Sequence, residues 1–112
     1  MDRRKELINE YKGRKLSGGV FKITNTITGN YMLNHAIDLQ GSQNLFDFSV
    51  ATGSCVNTKV QKDWKEFGGK AFAFEVLEEI EINEDQSLKE FKEDLKALEQ
   101  LWRERLDPSK EY

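Results

Sequence analysis

A chain of 112 residues that is 38% hydrophobic, with seven Phe, three Tyr and two Trp, makes one domain with a modest core and excludes disorder despite 33% charge. A single cysteine, Cys55, excludes an internal disulfide and a multi-cysteine zinc cluster, and no apolar run reaches the ~18 residues of a membrane span. The net charge of −3 argues against strong non-specific nucleic-acid binding.

MDRRKELINEYK lacks the apolar core of a secretion signal, which leads us to expect a cytoplasmic protein. Residues 2–12 have the spacing of a short amphipathic helix with Leu7, Ile8 and Tyr11 inward. Gly13 to Gly19 is a connection. Gly19 to Asn25 alternates Phe21 and Ile23 with Lys22 and Thr24, the pattern of a half-buried strand. Thr28-Gly29-Asn30 tolerates positive φ, so the chain can reverse there and return as a second strand over Tyr31 to Ile37.

Asp38 to Ala51 reads as a helix whose first turn is weakened by Gly41 and Ser42. Asn57 is the expected N-cap of a helix bearing Val60, Trp64 and Phe67, closed by Gly68. Ala71 to Ile82 is a third strand, with Phe72, Phe74 and Val76 alternating against Ala73 and Glu75. Ser87-x-x-Glu90 is a capping box before the longest helix, where Leu88, Phe91, Leu95, Leu98 and Trp102 step 3-4-3-4 to a stop near Pro108. The expected fold is α/β (α+β): a small three-stranded antiparallel sheet flanked by helices. One domain over 1–112 divides into a helix and connection (1–18), a sheet with two helices (19–82), and a long helix and tail (83–112). Trp64, Phe72, Phe74, Leu95 and Trp102 are expected to share one core.

GVFKITNTITGN is similar to the first hairpin of the GIY-YIG nuclease superfamily, with Gly19-Val20-Phe21 at the GIY position. GSCVNTKVQKDWKEFGGKAFAFEVLEE resembles a second segment of that family through Gly53, Asn57, Gln61, Asp63, Trp64, Gly68, Phe72, Phe74, Glu75, Val76, Leu77 and Glu78. DLKALEQLWRERLDP resembles its last helix. The chain therefore resembles the short, single-domain bacterial type of that superfamily, with degenerate catalytic motifs.

The resemblance implies a phosphodiester-cutting site. The family's first tyrosine, which helps to activate water, falls on Phe21, which has no hydroxyl for proton transfer. Counted without gaps, the YIG triplet falls on Met32-Leu33-Asn34; a slip of one residue places Tyr31 in the tyrosine slot instead. The family's phosphate-neutralising arginine belongs on the helix over Asp38 to Ala51, which offers Gln43, Asn44 and Asp47 but no cation. No lysine or arginine occurs between Lys22 and Lys59 at all. Glu99 matches the family's metal-binding glutamate, and the resemblance implies Mg²⁺ or Mn²⁺ there if the site is active. His35 is the only imidazole, and Tyr31, His35 and Glu99 form the candidate catalytic set.

Residues 1–22 carry seven basic and three acidic side chains, a balance of +4. Arg3, Arg4, Lys12, Arg14 and Lys15 are thus candidate phosphate contacts, or the solvated face of a helix. Cys55, with no cation next to it in sequence, reads as an ordinary small residue. The functional expectation is a domain that has lost nuclease catalysis and binds a protein, or a nucleic acid weakly. It needs no cofactor, touches no membrane, and can assemble with copies of itself through exposed aromatics. The alternative is an Mg²⁺-dependent endonuclease with an altered residue set.

Overall fold

A computed structural model describes residues 17–54, 58–83 and 85–112. The expected helix over 2–12, the basic residues Arg3, Arg4, Lys12, Arg14 and Lys15, and Cys55 and Asn57 lie outside the described residues. Three strands, β1 (Ser17–Asn25), β2 (Tyr31–Ala36) and β3 (Phe72–Glu81), form a sheet in the order β2-β1-β3, and β1 pairs antiparallel with both neighbours.

The hairpin joining β1 to β2 turns through Gly29 at φ 83°. The Asn25 Oδ1 accepts from the backbone N–H of Ile27 and Thr28, a side-chain turn that starts the reversal. Gly18 and Gly19 are required for a different reason, close approach. A Cβ on Gly19 would stand 2.0 Å from the Glu78 carbonyl oxygen, and one on Gly18 would stand 2.5 Å from that of Ala36. The β1–β3 register shifts beside them, between Val20 and Phe21, as expected for a bulge.

Helix α1 (Leu39–Thr52) starts one residue beyond Asp38, whose carboxylate caps it by accepting from the Gly41 N–H. It ends at Gly53 in the left-handed region. A 3₁₀ turn (Thr58–Val60) leads into the short α2 (Gln61–Phe67), closed by Gly68. Helix α3 (Leu88–Arg105) begins at Ser87, whose Oγ accepts from the Glu90 N–H and donates to the Glu90 carboxylate, so the Ser87-x-x-Glu90 pair read from the sequence caps the helix, with the carboxylate on the hydroxyl and not on the Ser87 N–H. No helix among the described residues is long and apolar enough to cross a membrane.

The sheet is covered on both faces. On one face Phe21, Ile23 and Met32 pack with Leu39 and Phe46 of α1, Val60, Trp64 of α2, and Phe72. Phe21 and Phe74 stack there with ring centroids 4.7 Å apart. On the other face α3 buries Phe91 and Leu95 completely, and Leu98 and Trp102 cover Val20, Tyr31 and Leu33. The single core expected for Trp64, Phe72, Phe74, Leu95 and Trp102 is therefore corrected: the first three lie on the α1/α2 face and the last two on the α3 face. Alternation shows that a side chain points inward, but a middle strand such as β1 has two inward faces.

Candidate functional site

Side chains of β2 alternate between these two faces, so Met32 and Asn34 point towards α1 while Tyr31, Leu33 and His35 point towards α3. Asn34 pairs directly opposite Phe21 on β1. Phe21, Met32 and Asn34, which the family resemblance sets at motif positions, thus meet in one cleft of about 140 Å³, whose wall on α1 is Ser42, Leu45 and Phe46. Phe21 and Met32 are buried at its base. Among the described residues, no lysine or arginine lines the cleft.

His35 points to the α3 face, where its Nδ1 lies 3.0 Å from the Glu99 Oε1, and the residue is also among those lining the cleft. The other Glu99 oxygen accepts from Arg103 Nη1 at 3.1 Å, one helical turn along. Arg103 Nε then donates to both oxygens of Glu111, at 3.0 and 3.3 Å. The hydrogen bond to Glu111, more than any other influence, holds the Arg103 guanidinium above its ordinary pKa. This chain of four side chains, His35–Glu99–Arg103–Glu111, is half-buried throughout.

The C-terminal residues are strapped down by the same chain. Glu111 forms a parallel bridge with Tyr31, and the Tyr112 N–H donates to the Tyr31 carbonyl at 2.8 Å. The Tyr112 hydroxyl donates to Asp63 at 2.7 Å on α2 and accepts from the fully buried amide of Asn25. Burial first, then the bond to Asp63, raises the Tyr112 pKa.

Of the candidate catalytic set, the fold brings His35 and Glu99 into contact. Tyr31 is buried, and its hydroxyl donates to the Asp107 carbonyl at 3.0 Å. Burial, followed by the charges of Glu111 and Asp107, raises its pKa. Sequence reasoning missed Arg103 and Glu111. The i, i+4 spacing of Glu99 and Arg103 was a legible signal; nothing local pointed to Glu111, eight residues further on. Among the described residues, no three His, Cys, Asp or Glu side chains gather as metal ligands.

No protein-family model matches the sequence, and no curated protein matches it. Two solved structures of the catalytic domain of the intron homing endonuclease I-TevI, one of them a point mutant, do resemble it. They are 20% and 21% identical over 81% and 80% of this chain and 84% and 87% of theirs, each with a TM-score of 0.59. At that identity the likeness is one of fold. I-TevI is a GIY-YIG homing endonuclease, and this chain has a GIY-YIG-like fold.

Proposed function

We propose that this domain keeps a nuclease-like frame without phosphodiester hydrolysis and serves as a binding module. The observation that carries the reading is the cleft: Phe21 and Met32 form its base, and among the described residues no cation lines it. Phosphoryl chemistry depends on donors and positive charge placed where negative charge develops, and losing one such donor commonly costs ~10²–10³ in rate.

The donor set at Glu99 supports the same reading. A Mg²⁺ or Mn²⁺ ion there would compete with His35 for one oxygen and meet the Arg103 guanidinium 3.1 Å from the other. One carboxylate already neutralised by arginine does not fit a resident divalent ion.

One observation favours the enzyme alternative. Glu99 orients the His35 ring, and a carboxylate-oriented imidazole at a cleft is an arrangement suited to a general base. The experiment that separates the readings is incubation of supercoiled DNA and single-stranded RNA with the protein and Mg²⁺ or Mn²⁺. We expect no cleavage above background. Nicking that is lost in His35→Ala and in Glu99→Gln would establish the enzyme.

A further inference from the structure

The two edges of the sheet are finished differently. On β2 the Tyr112 N–H occupies the Tyr31 carbonyl, and the Asn34 side chain accepts from the His35 N–H, so that edge is closed near both ends. Nothing comparable closes β3, the longest strand (Phe72–Glu81), which lies at the other edge. Over 73–81 its backbone bonds to no described residue outside the pairing with β1. The bulge at Leu77 leaves two regular runs on this edge, 72–76 and 78–81. An open edge is a template for an added strand, which bonds to its main chain and seats every second side chain on either face.

The edge is also acidic, through Glu75, Glu78, Glu79 and Glu81. Glu75 pairs with Lys22, and Glu78 accepts from the Trp102 indole, whereas the exposed Glu79 and Glu81 have no ion-pair partner among the described residues. Glu79 borders a groove of about 310 Å³ between β3 and the start of α1. Phe74 and Val76 give it an apolar side, and Asp38, Gln40 and Gln43 a polar one; no described lysine or arginine lines it. These charges select the occupant. A second copy pairing antiparallel through β3 about Leu77 would set Glu75 opposite Glu79, and like charges directly opposite are destabilising. A phosphate backbone is repelled for the same reason. Residues 1–16 of the chain itself enter β1 at Ser17, on the inner side of β3. To reach the outer side they would have to cross the end of β3 where the chain runs on to α3, a crossing that folds avoid.

We propose that β3 takes up, as a fourth strand, an extended segment of a partner protein in which lysine or arginine alternates with apolar residues. On the α1 face the basic side chains lay their aliphatic stems on Phe74 and Val76 and carry their charges to Glu79 and Asp38. On the α3 face the apolar side chains meet Leu77 and Ile80. Main-chain bonds supply affinity, and the carboxylates supply orientation and a dependence on salt. This groove shares no lining residue with the cleft, so the partner binds whether or not the domain cuts phosphodiester bonds.

Residue-resolved amide hydrogen exchange of the full chain, without and with a capped peptide of about seven residues alternating lysine and valine, tests it. In the free protein every second β3 amide over 73–81, facing away from β1, should exchange fast. The peptide, at micromolar to sub-millimolar concentration, should slow those amides. The same peptide N-methylated on both of its strand edges cannot complete the ladder, and a glutamate–valine peptide carries the wrong charge. Each should bind on the order of 10-fold or more weaker. Glu79→Lys with Glu81→Lys, at exposed positions that leave the core intact, should weaken the lysine peptide on the order of 10-fold, and added salt should weaken it too. Amides already slow in the free protein at every concentration would put the chain's own residues 1–16 on this edge, and slowing that grows with protein concentration would put a second copy there. Either result overturns the proposal. So does a lysine peptide that fails to bind, that slows amides elsewhere, or that binds as well once N-methylated or once its charge is reversed.

Discussion

Arg103 holds two half-buried carboxylates that would otherwise sit close together without a counter-charge, Glu99 on its own helix and Glu111 in the C-terminal strap. Replacing it with alanine leaves both carboxylates without their cation, and hydrogen bonds to charged groups are worth ~1.5–3 kcal/mol. We expect Arg103→Ala to lower unfolding stability by ~1–3 kcal/mol in urea, with Arg103→Lys recovering only part, since an ammonium cannot reproduce the planar guanidinium that donates Nη1 to Glu99 and Nε to Glu111. Stability equal to wild type would show the network to be solvent-screened. Tyr31 and Tyr112 bear on pH in the opposite range from acids. Their folded pKa values are raised, chiefly by burial, above the ordinary ~10. Below ~10 both are protonated in the folded and unfolded states, and the stability linked to them is fully present. As pH rises the unfolded chain loses its protons first, so that stability is lost through the folded pKa values. Tyrosinate absorbance should therefore develop later for these two residues than for free tyrosine, coincident with alkaline unfolding.

At the scale of elements, the middle strand decides what each helix contributes. Gly18 and Gly19 let β3, β2 and the Phe91 ring close on β1, and α3 seats Phe91 and Leu95 there with no exposure. Truncating a fully buried ring costs ~3–5 kcal/mol through lost transfer energy and the cavity left behind. Phe91→Ala should fall in that range. Phe74→Ala should cost less, because its ring is half-buried even though it stacks on Phe21. Guanidinium midpoints at unchanged slope measure both. Equal losses would mean that the two faces of the sheet contribute alike, against the burial seen here.

For the whole molecule, charge decides the partner class. The net charge of −3, and a cleft that no described lysine or arginine lines, leave little to hold a phosphate backbone. We expect weak binding to duplex DNA at physiological salt, with a shallow log–log salt slope, since each phosphate contact contributes ~0.9 to it. Sub-micromolar binding whose slope flattens when Arg3, Arg4, Lys12, Arg14 and Lys15 are neutralised would make nucleic acid the partner. The C-terminal strap matters on this scale too. Glu111 and Tyr112 tie α3, β2 and α2 together at one end of the sheet, giving the buried Asn25 amide a partner across 87 residues of chain.

The sequence by itself determined the elements. Alternation marked the three strands, Ser87 with Glu90 marked the start of α3, and Gly29 and Gly68 marked a turn and a helix end, because periodicity, capping and φ are properties of a few neighbouring residues. It also singled out His35 and Glu99, the first as the only imidazole and the second through a motif. Tertiary structure alone decided what those residues touch. Which face of β1 receives each ring, the contact of His35 with Glu99, the reach of Arg103 to Glu111, and the cleft between β2 and α1 all join residues distant in the chain or brought together across it. Their pairing is set by how strands and helices pack, and no local pattern encodes it.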